Sequence, residues 1–203
     1  MSRLFHPAKT TLGELLRGPA PLALPPFQRD YSWTSKEYEA FWTDLFAFSE
    51  RHPGESVRSK EYFIGSVVLV PKDGLRLVLD GQQRLTTAAI LLSAVRDVLS
   101  EINPIAANDI GRDFLKHVDP LRPDNSRYRL LLSEADRDFF QQDVIDGRRA
   151  APVLQSHQRL RKARNYLQDR VLSVRTQKGV SEEAAIQQVF RLADVLTNHF
   201  SVI

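Results

Sequence analysis

The chain has 203 residues, 42% apolar and 26% charged, with 9 Gly, 11 Pro and no Cys, the profile of a globular protein that can bury a core as one cooperative unit. Without Cys, disulfides, thiolate nucleophiles, iron–sulfur clusters and Cys-based zinc sites are excluded. Net charge is only +3, from 28 basic and 25 acidic side chains, so the total makes no case for nucleic-acid binding.

In chain order, residues 11–17 predict a short helix, which Pro19, Pro21, Pro25 and Pro26 terminate, with an extended segment at 22–24. Thr34-Ser35-Lys36-Glu37 reads as a capping box. Behind it, Tyr38, Phe41, Trp42, Leu45, Phe46 and Phe48 fall at helical spacing and predict a helix over 35–50. A polar loop over 52–59 carries Pro53 and Gly54 and leads into residues 62–70, rich in β-branched and aromatic side chains and expected as one strand. Pro71-Lys72-Asp73-Gly74 turns the chain into a second strand at 75–79, giving a β-hairpin.

From residue 82 to 102, Leu85, Ala88, Ala89, Leu92, Val95, Val98 and Leu99 form the stripe of a long amphipathic helix that ends before Pro104. Residues 134–144, 153–175 and 182–199 predict three further helices, and 128–132 carries the best strand signal of the second half. Phe200-Ser201-Val202-Ile203 begins one more strand. The expected class is α+β: a portion with a small sheet over 1–102 and a mainly helical annex over 103–203.

The apolar runs at 67–70 and 88–92 fall far short of the roughly 20 residues that span a bilayer. Residues 1–7 lack a secretory h-region. The expectation is a cytoplasmic protein with no membrane partner.

The most informative segment is Asp80-Gly81-Gln82-Gln83-Arg84-Leu85-Thr86-Thr87, placed where a strand meets a helix. A helix N-terminus offers unpaired N–H groups and a positive dipole end to an anion. Asp80 is there either to cap the helix or to hold a divalent cation, and Gly81 permits a tight turn. Gln82 and Gln83 can donate to phosphate oxygens or orient water, and Arg84 can clamp phosphate. The plainer reading is a well-capped helix behind a hairpin.

A second cluster, Phe27-Gln28-Arg29-Asp30-Tyr31-Ser32-Trp33, follows the rigid Pro25-Pro26 pair. Its aromatics are expected to pin the loop to the core, which leaves Gln28 and Arg29 unexplained by packing. Arg outnumbers Lys 21 to 7, which suits phosphate recognition or simply reflects coding bias. Arg148, Arg149, Arg159, Arg161 and Arg164 are expected on a solvated face, with a nucleic-acid contact as the minority reading. His6, His52, His117, His157 and His199 show no ligand spacing and are expected at the surface or loosely packed. The defining residues of P-loop, Rossmann and zincin motifs are missing.

Together, Pro26-Phe27-Gln28-Arg29-Asp30-Tyr31-Ser32-Trp33, Tyr62-Phe63-Ile64-Gly65-Ser66-Val67-Val68-Leu69 and Asp80-Gly81-Gln82-Gln83-Arg84-Leu85-Thr86-Thr87 resemble the N-terminal domain of GmrSD-type restriction endonucleases. The resemblance covers the whole chain, with its specific motifs confined to 25–87. It implies a ParB/sulfiredoxin-like nucleotide-binding fold and a place among DNA-modification-dependent and phosphorothioate-sensing phage-defence effectors. It further implies that Asp80, Gln82, Gln83 and Arg84 form the site at which a nucleoside triphosphate is bound and hydrolysed, with Mg²⁺ on Asp80. Gln28, Arg29, Tyr31, Tyr62, Gly65, Ser66, Gly81, Thr86 and Thr87 would line the same pocket. Sulfiredoxin chemistry is excluded for want of Cys.

The family continues with a further strand, a Phe-x-x-x-Asn-x-x-Gly-like segment and often an HNH nuclease domain, none of which this sequence contains. DNA cleavage is therefore expected from a nuclease partner or a missing C-terminal domain. The alternatives are a non-catalytic module that binds modified or phosphorothioated DNA, and a truncated remnant with a scaffold role.

Overall fold

The computed structural model describes residues 7–52, 60–118, 121–122 and 126–203. Residues 1–6 and most of the 52–59 loop, with Pro53 and Gly54, lie outside the described residues. The chain begins with β1 (Thr10–Thr11), α1 (Leu12–Arg17), β2 (Leu22–Ala23) and α2 (Ser35–Arg51). Both helices open on a capping box, Thr11 with Glu14 and Thr34 with Glu37, which satisfies two orphan N–H groups at each start.

The expected continuous strand at 62–70 is two strands. β3 (Tyr62–Phe63) and β4 (Val68–Lys72) belong to different sheets. The break follows from Gly65, whose φ of +112° is open to glycine and costly for any residue with a Cβ. β4 runs on through Pro71 and Lys72, so the turn into β5 (Leu75–Asp80) is Asp73-Gly74 alone.

α3 (Gln82–Ser100) is followed by α4 (Pro104–Ile110), which the sequence reading lacked; Asn103 caps it by accepting from the Ala106 N–H. A π-helical turn, Gly111–Leu115, leads to β6 (Lys116–His117), then β7 (Arg127–Tyr128) and β8 (Leu130–Leu131). α5 (Glu134–Phe139) continues into a second π-turn, Phe140–Ile145. α6 (Gln155–Arg175) and α7 (Glu182–Asp194) follow, a third π-turn, Val195–His199, closes α7, and β9 (Phe200–Val202) ends the order. Among the described residues, no helix is long and apolar enough to cross a membrane.

The main sheet has the order β4-β5-β2-β8, antiparallel between β4 and β5 and parallel elsewhere. A second sheet, β1-β9-β3, has β9 at its centre, antiparallel to β1 and parallel to β3. Strands from the two ends of the sequence thus interleave, and one apolar core runs from Leu12 to Val202. α3 is its axis. Beyond the predicted stripe, Ile90, Leu91 and Ala94 are also buried, so that residues 85–95 of α3 are buried on every side, as in a helix enclosed by others. Its buried Ser93 hydroxyl donates to the Val144 carbonyl at 2.6 Å.

Two surface expectations are corrected. Arg161 and Arg164 are not on a solvated face: Arg161 pairs with the buried Asp143, and Arg164 with Asp97 at 3.3 Å, tying α6 to the second π-turn and to α3. His157 and His199 are each only 8% exposed. The His157 ring stacks on Phe139 with centroids 4.4 Å apart and hydrogen bonds to the Ala135 carbonyl, while His199 hydrogen bonds to the Lys60 carbonyl.

Candidate functional site

β5 delivers the chain to Gly81, which is the N-cap of α3 with φ +89°. A Cβ there would meet Val67 Cγ2 at 2.7 Å, so both the left-handed backbone and the close approach require glycine. Helical hydrogen bonding begins with the Leu85 N–H donating to the Gly81 carbonyl at 3.1 Å. The N–H groups of Gln82, Gln83 and Arg84 therefore precede the ladder, and no acidic residue occupies the first turn. Asp80 does not cap the helix. Its carboxylate, 64% exposed, faces the Arg84 guanidinium across 3.7 Å.

The two glutamines share a motif and do different work. Gln83 Oε1 accepts from the Ser32 N–H at 2.9 Å and the Trp33 N–H at 3.4 Å, while Nε2 donates to the Asp30 carbonyl at 3.2 Å. Its side chain holds the loop that carries Gln28 and Arg29. Gln82 donates from Nε2 to the Arg29 carbonyl at 3.3 Å. Its Oε1 is buried with no hydrogen-bond partner among the described residues, and the residue is only 7% exposed. A native buried acceptor without a partner calls for an explanation.

Arg84 donates from Nη1 to the Ile64 carbonyl at 2.6 Å and from Nη2 to the Ser66 carbonyl at 2.9 Å. A Cβ on Gly65 would overlap Nη1. Gly65 and Ser66 thus form the seat of Arg84, and the guanidinium keeps further N–H donors free of these two bonds. Gln28 Nε2 donates to the Leu79 carbonyl at 2.9 Å, and Arg29 is exposed.

These groups enclose a cavity of about 250 Å³ lined by Gln28, Arg29, Trp33, Leu79, Asp80, Gly81, Gln82, Gln83 and Arg84. Other expected site residues lie elsewhere. Tyr31 is 3% exposed, its hydroxyl hydrogen bonds to Thr87 Oγ1 at 2.9 Å, and burial pushes that hydroxyl well above the ordinary tyrosine range. Thr87 is fully buried, and Thr86 donates to the Gln82 carbonyl at 2.8 Å. Tyr31, Thr86 and Thr87 therefore support the site from within the core. Tyr62 lines a neighbouring cavity of about 340 Å³ with Trp33, Phe41, Asp44 and Arg84. Phe27 does not pin its loop to the core: it is 78% exposed.

Sequence reasoning missed the residues that anchor the loop from the far half of the chain. The Tyr31 N–H donates to Asp136 Oδ2 at 2.9 Å, and the Ser133 hydroxyl donates to Asp30 Oδ1 at 2.7 Å. Asp136 is 1% exposed. Its neighbourhood in the sequence gives no signal for a contact spanning 105 positions. Among the described residues, no group of three or more His, Cys, Asp or Glu could hold a metal ion. Asp80 is the carboxylate on the cavity wall, and one carboxylate combined with ligand phosphates and water is a setting that suits Mg²⁺.

A search of curated proteins found no match. A scan against family models matches residues 12–198 to the N-terminal domain of GmrSD restriction endonucleases. That match spans most of the chain, including every wall of the cavity. The chain belongs to the GmrSD N-terminal domain family, a membership that implies a role in a restriction or phage-defence system.

Proposed function

We propose that the chain is a nucleotide-binding, NTP-hydrolysing sensor domain of a DNA-modification-dependent restriction or phage-defence system. The observation that carries the reading is the convergence on one cavity of the start of α3, whose first three N–H groups precede the ladder, and of two arginines. Phosphate oxygens would accept from the N–H groups and from Arg29 and Arg84, at the positive end of a 19-residue helix. The same resemblance brings with it a ParB/sulfiredoxin-like relationship for the α+β architecture.

Asp80 sets a negative charge beside this anion site, which the Arg84 guanidinium 3.7 Å away offsets and which a further cation would screen from the phosphates. Mg²⁺ bound there would supply charge neutralisation between the carboxylate and the phosphates. Gln82 Oε1 is shut off from solvent as its side chain stands; a shift that opened it would let it orient a water, which attacks the terminal phosphorus in line. Its oxygen bonds to phosphorus, the bond to the bridging oxygen breaks, and the proton leaves to a phosphate oxygen. Arg29 and Arg84 stabilise the charge that develops.

A second reading is a module that binds modified or phosphorothioated DNA without catalysis. It draws on another polar cavity, about 290 Å³, where Arg159 and Lys162 face Thr34 and Trp33 at the starts of α6 and α2. A nuclease partner would then cut. Titration of Mg²⁺ with GTP, ATP and CTP against the chain and its Arg84→Ala variant, following heat and phosphate release, tests the first reading. It predicts binding and turnover that are lost with Arg84. Salt-sensitive DNA binding without any nucleotide binding would favour the second.

A further inference from the structure

The cavity beside the anion site is unlike it. Its walls are aromatic, from Trp33, Phe41, Tyr62 and Phe63, and its rim carries the carboxylates of Glu37 and Asp44. Phe200 of β9 supports it from below, stacked on Tyr62 with ring centroids 4.9 Å apart. Trp33 and Arg84 line both this cavity and the anion site. One molecule with a polyanionic end and a flat, aromatic end could therefore occupy the two together.

We propose that the aromatic cavity takes the base of the nucleotide and that Asp44 selects guanine. The inference rests on the nucleotide reading above. At about 340 Å³, the cavity lies at the small end of the range ligand pockets occupy, roughly 300–1,000 Å³. That suits a bicyclic base between aromatic walls, while the phosphates remain at α3.

The carboxylates decide which base. A carboxylate is an acceptor only. Guanine presents two adjacent N–H donors on one edge, which match the two oxygens, whereas adenine and cytosine place a ring acceptor beside their amino group and would set it against the carboxylate. Uracil presents a single N–H between two carbonyls. Of the two acids, Glu37 is committed, because Oε2 accepts from the Thr34 N–H at 2.7 Å and the Thr34 hydroxyl at 2.8 Å. Asp44 stands on the same face of α2, two turns on, where it accepts one hydrogen bond from the Tyr62 hydroxyl and keeps further lone pairs for the base.

An aromatic box with acidic groups also suits an alkylammonium ion. The Arg84 guanidinium in the shared wall argues against one, since it would meet a like charge.

The test titrates the full chain and its Asp44→Asn variant with GTP, inosine triphosphate, ATP, inorganic triphosphate and guanosine. Asp44 is exposed, so the variant keeps its fold. GTP should bind the parent chain about tenfold or more tightly than ATP, the difference expected for hydrogen bonds to a charged acceptor. Inosine triphosphate, which lacks the amino group, should fall between. In Asp44→Asn the GTP preference should collapse toward one while inorganic triphosphate binds both proteins alike.

A parent chain without guanine preference, or a preference that survives Asp44→Asn, overturns the proposal. So does tetramethylammonium binding that Asp44→Asn abolishes, which would assign the cavity to a cation. Guanosine separates the two readings. Guanosine binding that needs Asp44, without triphosphate binding, retains the base site and overturns the phosphate seat. Triphosphate binding without guanine preference does the reverse, and binding of neither overturns both.

Discussion

Gln82 and Gln83 are adjacent, identical and similarly buried, yet the structure assigns them opposite consequences when truncated. Gln83→Ala removes the acceptor of the Ser32 N–H and Trp33 N–H and the donor to the Asp30 carbonyl. These backbone groups are part-buried, and each left without a partner costs up to about 1–3 kcal/mol. The two N–H groups share a single acceptor and one of them lies at 3.4 Å, so the sum is about 2–4 kcal/mol. For a chain of this size that lowers the melting temperature by roughly 5–15 °C. Gln82→Ala loses one long bond, 3.3 Å to the Arg29 carbonyl, and also removes an acceptor that had no partner. These effects offset, and stability should change by no more than about 1 kcal/mol. Urea unfolding of both variants by circular dichroism reads the difference, and nucleotide titration of Gln82→Ala reads what its stability does not. Equal destabilisation by the two substitutions would refute the division of roles.

The other predictions concern the supports around the cavity. Gly65→Ala places a Cβ at φ +112° and displaces the Arg84 guanidinium; it should cost about 1–3 kcal/mol in urea unfolding and abolish phosphate binding in calorimetry. Asp136→Ala strips the buried Tyr31 N–H of its acceptor, and should lower stability by about 1–3 kcal/mol while weakening nucleotide binding through the loop. Glu37 and Glu14 are held below the ordinary value of 4.5, each first by the backbone N–H of its capping threonine and then by a threonine hydroxyl. A lowered folded value means that this stabilisation is complete above about pH 4.5 and is lost as pH falls through the lowered value. Urea unfolding across pH 3–6, an interval of about three units around that value, should show a shallower acid limb in Glu37→Gln than in the parent chain.

Local chemistry was legible in the sequence and long-range pairing was not. The capping box at Thr34 placed the start of α2, and the stripe from Leu85 to Leu99 placed α3, because both signals lie within a few residues of what they specify. The split at Gly65 is not legible, because one glycine in a run of β-branched residues does not announce a left-handed backbone; only the approach of Arg84 reveals why it is there. The strand signal at Phe200 is local, but its position between β1 and β3 depends on partners roughly 140 and 190 residues away. The Asp-Gly-Gln-Gln-Arg stretch located the cavity while concealing that its second glutamine serves the loop. Pattern gives residue types, and only geometry tells which of two neighbours faces the backbone.

The central claim, that the start of α3 receives phosphates, is tested most directly through Arg29. Its side chain is exposed on the cavity wall, so Arg29→Ala should leave folding unchanged. Calorimetric titration of inorganic triphosphate with Mg²⁺ should show saturable binding to the parent chain and an affinity about tenfold or more weaker in Arg29→Ala. Identical affinities in the two proteins, or no binding to the parent chain, would contradict the account.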